Sequence, residues 1–292
     1  MLGIGGVGGT VAARLGNAGA DVVAVARPET CAVLQERGLR FEHRGLDLGL
    51  AENLTVATHL VEPVDLLVVA VKTPALEEAL ERISPRAVEE AVVLPLLNGL
   101  EHLETIRARL GRRVAAGSIS RFEAYRDGLA RVVQTTPSGV VTMASEDVSR
   151  ARLEQVASWL RLGELEARVW ESEEAVLWDK AARLAVLAAA TALTQRPVGE
   201  LRADSEWRPL LERAIAEACA VAAADGVTLE VAAQWAIIDA MPETLTTSTS
   251  RDVAEGNPSE LDAIAGAVVR AGTRLGVPCP TLAELVERCL AP

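Results

Sequence analysis

Lysine is almost missing from this chain: of its 29 basic residues only two, Lys72 and Lys180, are lysines. Arginine therefore meets the general need for positive charge. A guanidinium is a planar fork that stays protonated, whereas an ammonium is a compact charge that can titrate and deliver a proton. Where such a chain keeps lysine, the ammonium itself is expected to be needed; the plainer alternative is that two lysines survived compositional drift. Positive charge as a whole is also in deficit, with 41 acidic residues and a formal net charge of -12. Such a surface repels phosphate backbones and anionic lipid, so neither a nucleic acid nor a membrane is expected as a partner.

Cysteine is scarce and scattered (Cys31, Cys219, Cys279, Cys289), with no C-x-x-C pair and no neighbouring histidine. This excludes a recognisable zinc site or disulfide framework and suits a reducing cytoplasm. His43, His59 and His102 have no motif around them and receive no role. Long apolar runs are absent too. The longest candidate, Leu184 to Leu193, falls well short of the roughly 18 residues expected of a membrane span and reads as a buried helix. The first residues lack the cationic lead of a signal peptide. A soluble cytoplasmic protein is the expectation.

What is present is a chain of 292 residues, half of them hydrophobic, long enough for two domains. Near-continuous apolar runs at 21–26, 65–71 and 91–97 alternate with amphipathic segments at 9–19, 75–83 and 101–110. This pattern predicts βαβ units with a parallel sheet covered on both faces, completed by strands near 129–134, 139–143 and 166–169. Past residue 170 strand signals vanish. Helices are predicted over 173–194, 206–224 and 229–240. A fourth is predicted from Asn257-Pro258 to Gly276, with asparagine as cap and proline at the first helical position. The fold class is thus α/β, a Rossmann-type dinucleotide-binding domain over 1–169 followed by an all-α domain over 170–292.

Gly3-Ile4-Gly5-Gly6-Val7-Gly8 fits G-x-G-x-x-G and leads into a helix. Glycines there permit a tight turn and close approach of backbone amides to a pyrophosphate. Arg27 ends the next strand, where an NAD enzyme would carry an acid for the ribose 2′-hydroxyl. A guanidinium can instead grip a 2′-phosphate, which favours NADP (NADPH) as the cofactor; the plainer reading is a surface arginine. Only Met1 and Leu2 precede the loop, too few for a central strand of about five residues. Either the chain starts upstream or the sheet lacks its first strand.

These residues resemble the ketopantoate reductases (2-dehydropantoate 2-reductases) over nearly the whole chain. The resemblance rests on the glycine loop, Arg27, Val71-Lys72-Thr73, Leu97-Asn98-Gly99, Trp178-Asp179-Lys180, Thr191-Ala192-Leu193 and Val198-Gly199-Glu200. It continues through Thr247-Ser248 with Asp252, Pro258-Ser259-Glu260-Leu261-Asp262, Gly266 and Leu275 to Pro280. Both lysines fall on motif positions. The resemblance implies NADPH-dependent reduction of a 2-oxo acid to a 2-hydroxy acid. An alanine-rich helical second domain often buries surface against a twin, so a homodimer is expected. It implies that Gly3, Gly5, Gly6, Val7, Gly8, Arg27, Lys72 and Asn98 bind the cofactor. It further implies that Lys180 is the general acid, with Glu260 orienting it or the substrate, and that Ser248 and Asn98 contact the substrate.

Other readings of the same residues stay open. Glu260 lies at capping-box spacing from Asn257. Ser248 sits in a polar loop, and Asn98-Gly99 is a good turn dipeptide. Lys180 could be a solvated charge near the start of its helix. The chain also departs from the family. One and two turns beyond Lys180, at positions where the family typically carries substrate-binding asparagines, stand Leu184 and Ala188. A buried substrate hydroxyl there would lose its partners, at about 1–3 kcal/mol each, so a more apolar 2-oxo acid or related carbonyl is a competing substrate. An NADP-binding member without catalysis is a second alternative, and a related two-domain dehydrogenase acting on hydroxy acids or imines a third.

Overall fold

The structure, a computed structural model, describes residues Met1–Leu290. The chain divides into two compact units: Met1–Leu97 with His102–Val176, and Asn98–Glu101 with Leu177 onward.

The first unit begins with α1 (Gly6–Asn17), followed by β1 (Val22–Val25), α2 (Pro28–Arg37), β2 (Arg40–His43), β3 (Leu46–Leu50), β4 (Leu54–Ala57) and β5 (Leu66–Val69). It continues with α3 (Leu76–Leu80), β6 (Val92–Pro95), α4 (His102–Leu110), β7 (Ala116–Ser120), β8 (Ala124–Arg126), β9 (Arg131–Gln134), β10 (Val140–Ala144), α5 (Arg150–Leu162) and β11 (Glu166–Val169).

β1 pairs in parallel with β4, and β5 with β6. Between β1 and β5 lies Leu2, bridged in parallel to Val25 on one side and Val69 on the other. The amide N–H of Leu2 donates to Val68 and that of Gly3 to Val25, while the carbonyls of Met1 and Leu2 accept from Val25 and Ala70. The residues before Gly3 therefore occupy the place of the first strand. The expectation that the sheet lacks it is corrected: a strand slot flanked on both sides needs only a few paired backbone groups to be filled. Two further sheets, β3-β2-β9-β8 and β11-β10-β7, mix parallel and antiparallel pairs. β2, β3, β4, β7 and β8 carry too little apolar patterning to be read from sequence, and β3 leaves Leu46, Leu48 and Leu50 exposed.

α1 is helical although glycine disfavours helices, because its glycines are where backbone and side chains come closest. A Cβ at Gly9 would lie 2.6 Å from Val132, and one at Gly16 only 2.1 Å from the Glu52 carbonyl. Burying Val11, Ala12, Ala13 and Leu15 against the sheet offsets the glycine cost, which is roughly 1 kcal/mol each relative to alanine.

The second unit is helical. α6 (Glu173–Thr194) starts in the first unit and runs on through the second, followed by α7 (Val198–Ala203), α8 (Trp207–Ala224), α9 (Val231–Asp239) and α10 (Ser248–Ala254). A π-helical turn (Asp262–Gly266) then opens α11 (Ala267–Leu275), and α12 (Pro280–Leu290) ends the described chain. The alanines of α6 allow close packing: Ala182, Ala185, Ala188, Ala189 and Ala190 are all fully buried in a core with Trp178, Ile215 and Leu282. The helix predicted from Asn257 starts later than expected. Asn257 does not cap it; its side chain donates to Glu255, and helical structure begins only after Glu260. Its end at Gly276 is as predicted, in the left-handed conformation (φ 71°) that glycine adopts without a Cβ clash. Among the described residues no helix is long and apolar enough to cross a membrane, and no metal-binding cluster is present.

Candidate active site

In the first unit the glycine loop is shaped by contacts that exclude side chains. A Cβ at Gly8 would sit 2.0 Å from the Gly3 carbonyl oxygen, and one at Gly6 would sit 2.3 Å from the carbonyl oxygen of Ala124. Gly3 has φ +90°, open to glycine at little cost. Gly5 differs from all of these, because nothing lies within 4 Å of its missing Cβ. Gly5 is also the N-cap of α1, no side chain caps that end, and no acidic residue stands in the first turn. The free amides of that first turn carry the partial positive charge of a helix N-terminus. A pyrophosphate fits that cradle. Val7 packs on the core behind the loop.

Arg27 follows β1 and is the N-cap of α2. Its side chain is exposed and ion-paired with Glu29 at 3.4 Å. Lys72, exposed, precedes a short 3-10 turn at Thr73–Ala75. A residue the sequence reading missed, Arg126 of β8, is half-buried and donates from Nη1 to the carbonyl of Ile4 inside the loop at 3.1 Å. Its only local signal is a place in Tyr125-Arg126-Asp127-Gly128, an ordinary turn approach.

In the second unit, Lys180 Nζ donates to Asn98 Oδ1 at 2.8 Å. These two residues are 82 positions apart in the chain. Asn98 belongs to the short segment Asn98–Glu101, which is held by two features. Gly99 (φ +99°) lies so close to the π-helical turn that a Cβ would sit 2.2 Å from the Ala263 carbonyl oxygen. Glu101 accepts a two-pronged ion pair from Arg270 (2.9 and 2.8 Å), and Arg270 also donates to Asp262 at 2.8 Å. Asn98-Gly99 is thus more than a turn dipeptide: glycine is required where the segment meets the helix.

Lys180 is partly buried, and its ammonium is shifted from the usual lysine value down to about 8. Burial is the main cause, because the charged form loses hydration. The Arg183 guanidinium adds repulsion, while the Glu260 carboxylate opposes both by favouring the charged form. Glu260 is 7% exposed and lies ahead of the helix rather than in its first turn, which removes the capping-box reading.

The remaining site expectations separate. Ser248 is exposed in the first turn of α10, while the buried hydroxyls of that region belong to Thr247, Thr249 and Ser250. Thr247 Oγ1 lies 2.8 Å from Thr191 Oγ1 and accepts the Ser250 amide N–H. Ser250 Oγ donates to the Thr191 carbonyl at 3.0 Å. Thr191 and Thr247 therefore pin α10 to α6. Leu184, one turn beyond Lys180, is partly exposed and packs on the core. Ala188, two turns beyond Lys180, has no exposed surface and lies in the helical core.

Comparison with known proteins agrees with these two units. The family profile described as ketopantoate reductase PanE/ApbA matches residues 1–147, and its C-terminal counterpart matches residues 174–290. A 2-dehydropantoate 2-reductase of Halobacterium salinarum is 31% identical, over 78% of this chain and 77% of its own. The uncharacterised oxidoreductase YkpB of Bacillus subtilis is 26% identical, over 97% of this chain and 94% of its own. A crystal structure of a PanE/ApbA family ketopantoate reductase from Ralstonia eutropha JMP134 superposes with a TM-score of 0.87 at 27% identity, covering 99% and 95% of the two chains. This chain is an oxidoreductase that belongs to the ketopantoate reductase family.

Proposed function

We propose that this protein reduces a 2-oxo acid to a 2-hydroxy acid with NADPH, using Lys180 as the proton donor. The single observation that carries the reading is the Lys180–Asn98 hydrogen bond in a site where burial brings the ammonium to about 8. NADPH, when bound, supplies the hydride.

Lys180 gives its proton to the carbonyl oxygen as that oxygen gains negative charge. A donor whose pKa lies near the working pH combines a high protonated fraction with a small barrier to transfer. Asn98 accepts one ammonium N–H and so aims the others; Glu260 keeps the amine charged until its proton is needed. Gly5 and the first turn of α1 present amides to the pyrophosphate, and Arg27 offers the cation for a 2′-phosphate. Ser248 is kept as a polar contact for the substrate carboxylate, and Lys72 as a cofactor contact, each from an exposed position.

Ketopantoate is the substrate suggested by relatives such as the Halobacterium enzyme. A second reading is favoured by Leu184, which stands partly exposed one helical turn from Lys180. A leucine there can neither donate to nor accept from a substrate hydroxyl, and suits a more apolar 2-oxo acid.

The test is NADPH oxidation measured over a panel of 2-oxo acids, ketopantoate among them, for the native protein and for Lys180→Ala. Turnover should be present with at least one acid and fall by about 10²–10⁴-fold in the variant, with NADPH still bound. A fully active Lys180→Ala protein would refute the mechanism, and ordinary efficiency with ketopantoate would end the apolar reading.

A further inference from the structure

Arg126 is out of place for a surface arginine. It is half-buried, and among the described residues it forms no ion pair. Its one hydrogen bond is to the Ile4 carbonyl, within the glycine loop. Its position is fixed by backbone, because β8 lies against the loop: a Cβ on Gly6 would fall 2.8 Å from the Tyr125 Cα. Ile4 follows Gly3, whose amide N–H donates to Val25 two residues before Arg27, so Arg126 bonds to the loop beside the strand that ends at Arg27. Burial first and the Arg27 charge second lower the affinity of Arg126 for its proton, while Glu29 acts the other way. The first unit thus holds two guanidiniums near each other, at one edge of an uncapped helix N-terminus, in a protein with 41 acidic and 29 basic residues. Two guanidiniums in one region attract an anion, and planar forks suit the oxygens of a phosphate. Glu29, exposed and ion-paired with Arg27 at 3.4 Å, is the carboxylate that such an anion would displace.

We propose that Arg126 is the second cation of a phosphate subsite shared with Arg27, and that the pair selects NADPH over NADH by holding the 2′-phosphate from two elements, α2 and β8. This rests on the reading that the glycine loop binds a dinucleotide. Arg27 stands at the end of the strand where the ribose 2′ position lies in this fold. Arg126 reaches the same region from the loop side, through Ile4. The two arms come from parts of the chain about a hundred residues apart, so neither reports on the other in sequence.

Calorimetric titration of the native protein, Arg126→Gln, Arg126→Lys and Arg27→Gln with NADPH, NADH and adenosine 2′,5′-bisphosphate tests this. Arg126→Gln should weaken NADPH and the bisphosphate about tenfold or more, as expected for loss of a charge-assisted contact, and change NADH less than threefold. Arg126→Lys should fall between, since a point charge replaces a fork. Unchanged NADPH affinity in a folded Arg126→Gln protein would overturn the proposal. Equal losses for NADPH and NADH would also overturn it, placing the guanidinium on the pyrophosphate instead. If the native protein binds neither dinucleotide, the underlying reading fails with it. If it binds both equally and Arg126→Gln alters neither, only this proposal fails.

Discussion

The two units build their chemistry from different materials. In the first, the glycine loop is a backbone surface, shaped by Gly3, Gly6 and Gly8, where a single methyl group would collide with a carbonyl oxygen or a neighbouring side chain. In the second, the group proposed as proton donor is a side chain, Lys180, held by Asn98 and acted on in opposite senses by the charges of Arg183 and Glu260. A backbone surface depends on what is missing from a few adjacent residues, so it can be read within a short motif. A side-chain site depends on what is brought together. Asn98 and Lys180 are 82 positions apart and meet in a hydrogen bond, with Gly99 and the Glu101–Arg270 ion pair seating the Asn98 segment against the helices.

Burial also acts differently in the two units, although the physics is shared. His102, at the start of α4 in the first unit, is 3% exposed and neither ring nitrogen has a partner. Burial alone shifts it from the ordinary histidine value down to about 4. Lys180 in the second unit is lowered by the same desolvation, yet it has a hydrogen-bond partner in Asn98. On the proposed mechanism the first shift acts on stability and the second on rate.

Three measurements would break or sharpen this contrast, the largest first. Between pH 6.5 and 4 the unfolded chain protonates His102 and the folded protein does not, so stability is present above about 6.5 and lost as pH falls. The loss should approach about 3 kcal/mol at pH 4, at about 1.4 kcal/mol per pH unit. Denaturant titrations of the native protein and His102→Phe across this range should show a shallower acid slope in the variant; identical slopes would remove His102 from the account. Next, Gly8→Ala puts a methyl 2.0 Å from the Gly3 carbonyl oxygen, and overpacking of this kind costs about 1–3 kcal/mol. The expected outcome is a 5- to 150-fold loss of NADPH affinity, with the pH dependence of any residual turnover unchanged; unaltered affinity would mean that the loop is not backbone-limited. Smallest is the pH profile. As a proton donor Lys180 must be charged, so kcat/KM for reduction should be flat below about pH 8 and fall tenfold per unit above it. Oxidation of the product should show the opposite trend, and a reduction rate that rises above pH 8 would exclude Lys180 as the acid.

Legibility in the sequence followed the same division. The parallel strands and their helices were visible because β1, β5 and β6 are buried runs bounded by turns, and the long α6 because its apolar residues continue around the helix. The first strand was not visible, since a slot between two existing strands can be filled by Met1 to Gly3 with backbone bonds that carry no side-chain pattern. The start of the helix before Gly276 was misplaced because Asn257-Pro258 mimics a cap, whereas the chain delays helix formation and opens with a π turn. Ser248 and Ala188 share a motif or a helix face with other candidate site residues, but exposure and burial are not encoded at that range. Ala188 is sealed by neighbouring helices, and the buried hydroxyls are those of Thr247 and Ser250.

From its residues alone, the chain determined an α/β unit followed by a helical one, a glycine loop shaped for a pyrophosphate, and the reservation of ammonium groups for two positions. Local propensity, hydrophobic period and steric need are written in neighbouring residues, and they sufficed for that. The tertiary structure decided which groups surround Lys180, how far its proton affinity falls, and that Arg126 donates to the Ile4 carbonyl within the loop. Desolvation and charge coupling depend on distances between residues remote in the chain, and only the folded packing sets those distances.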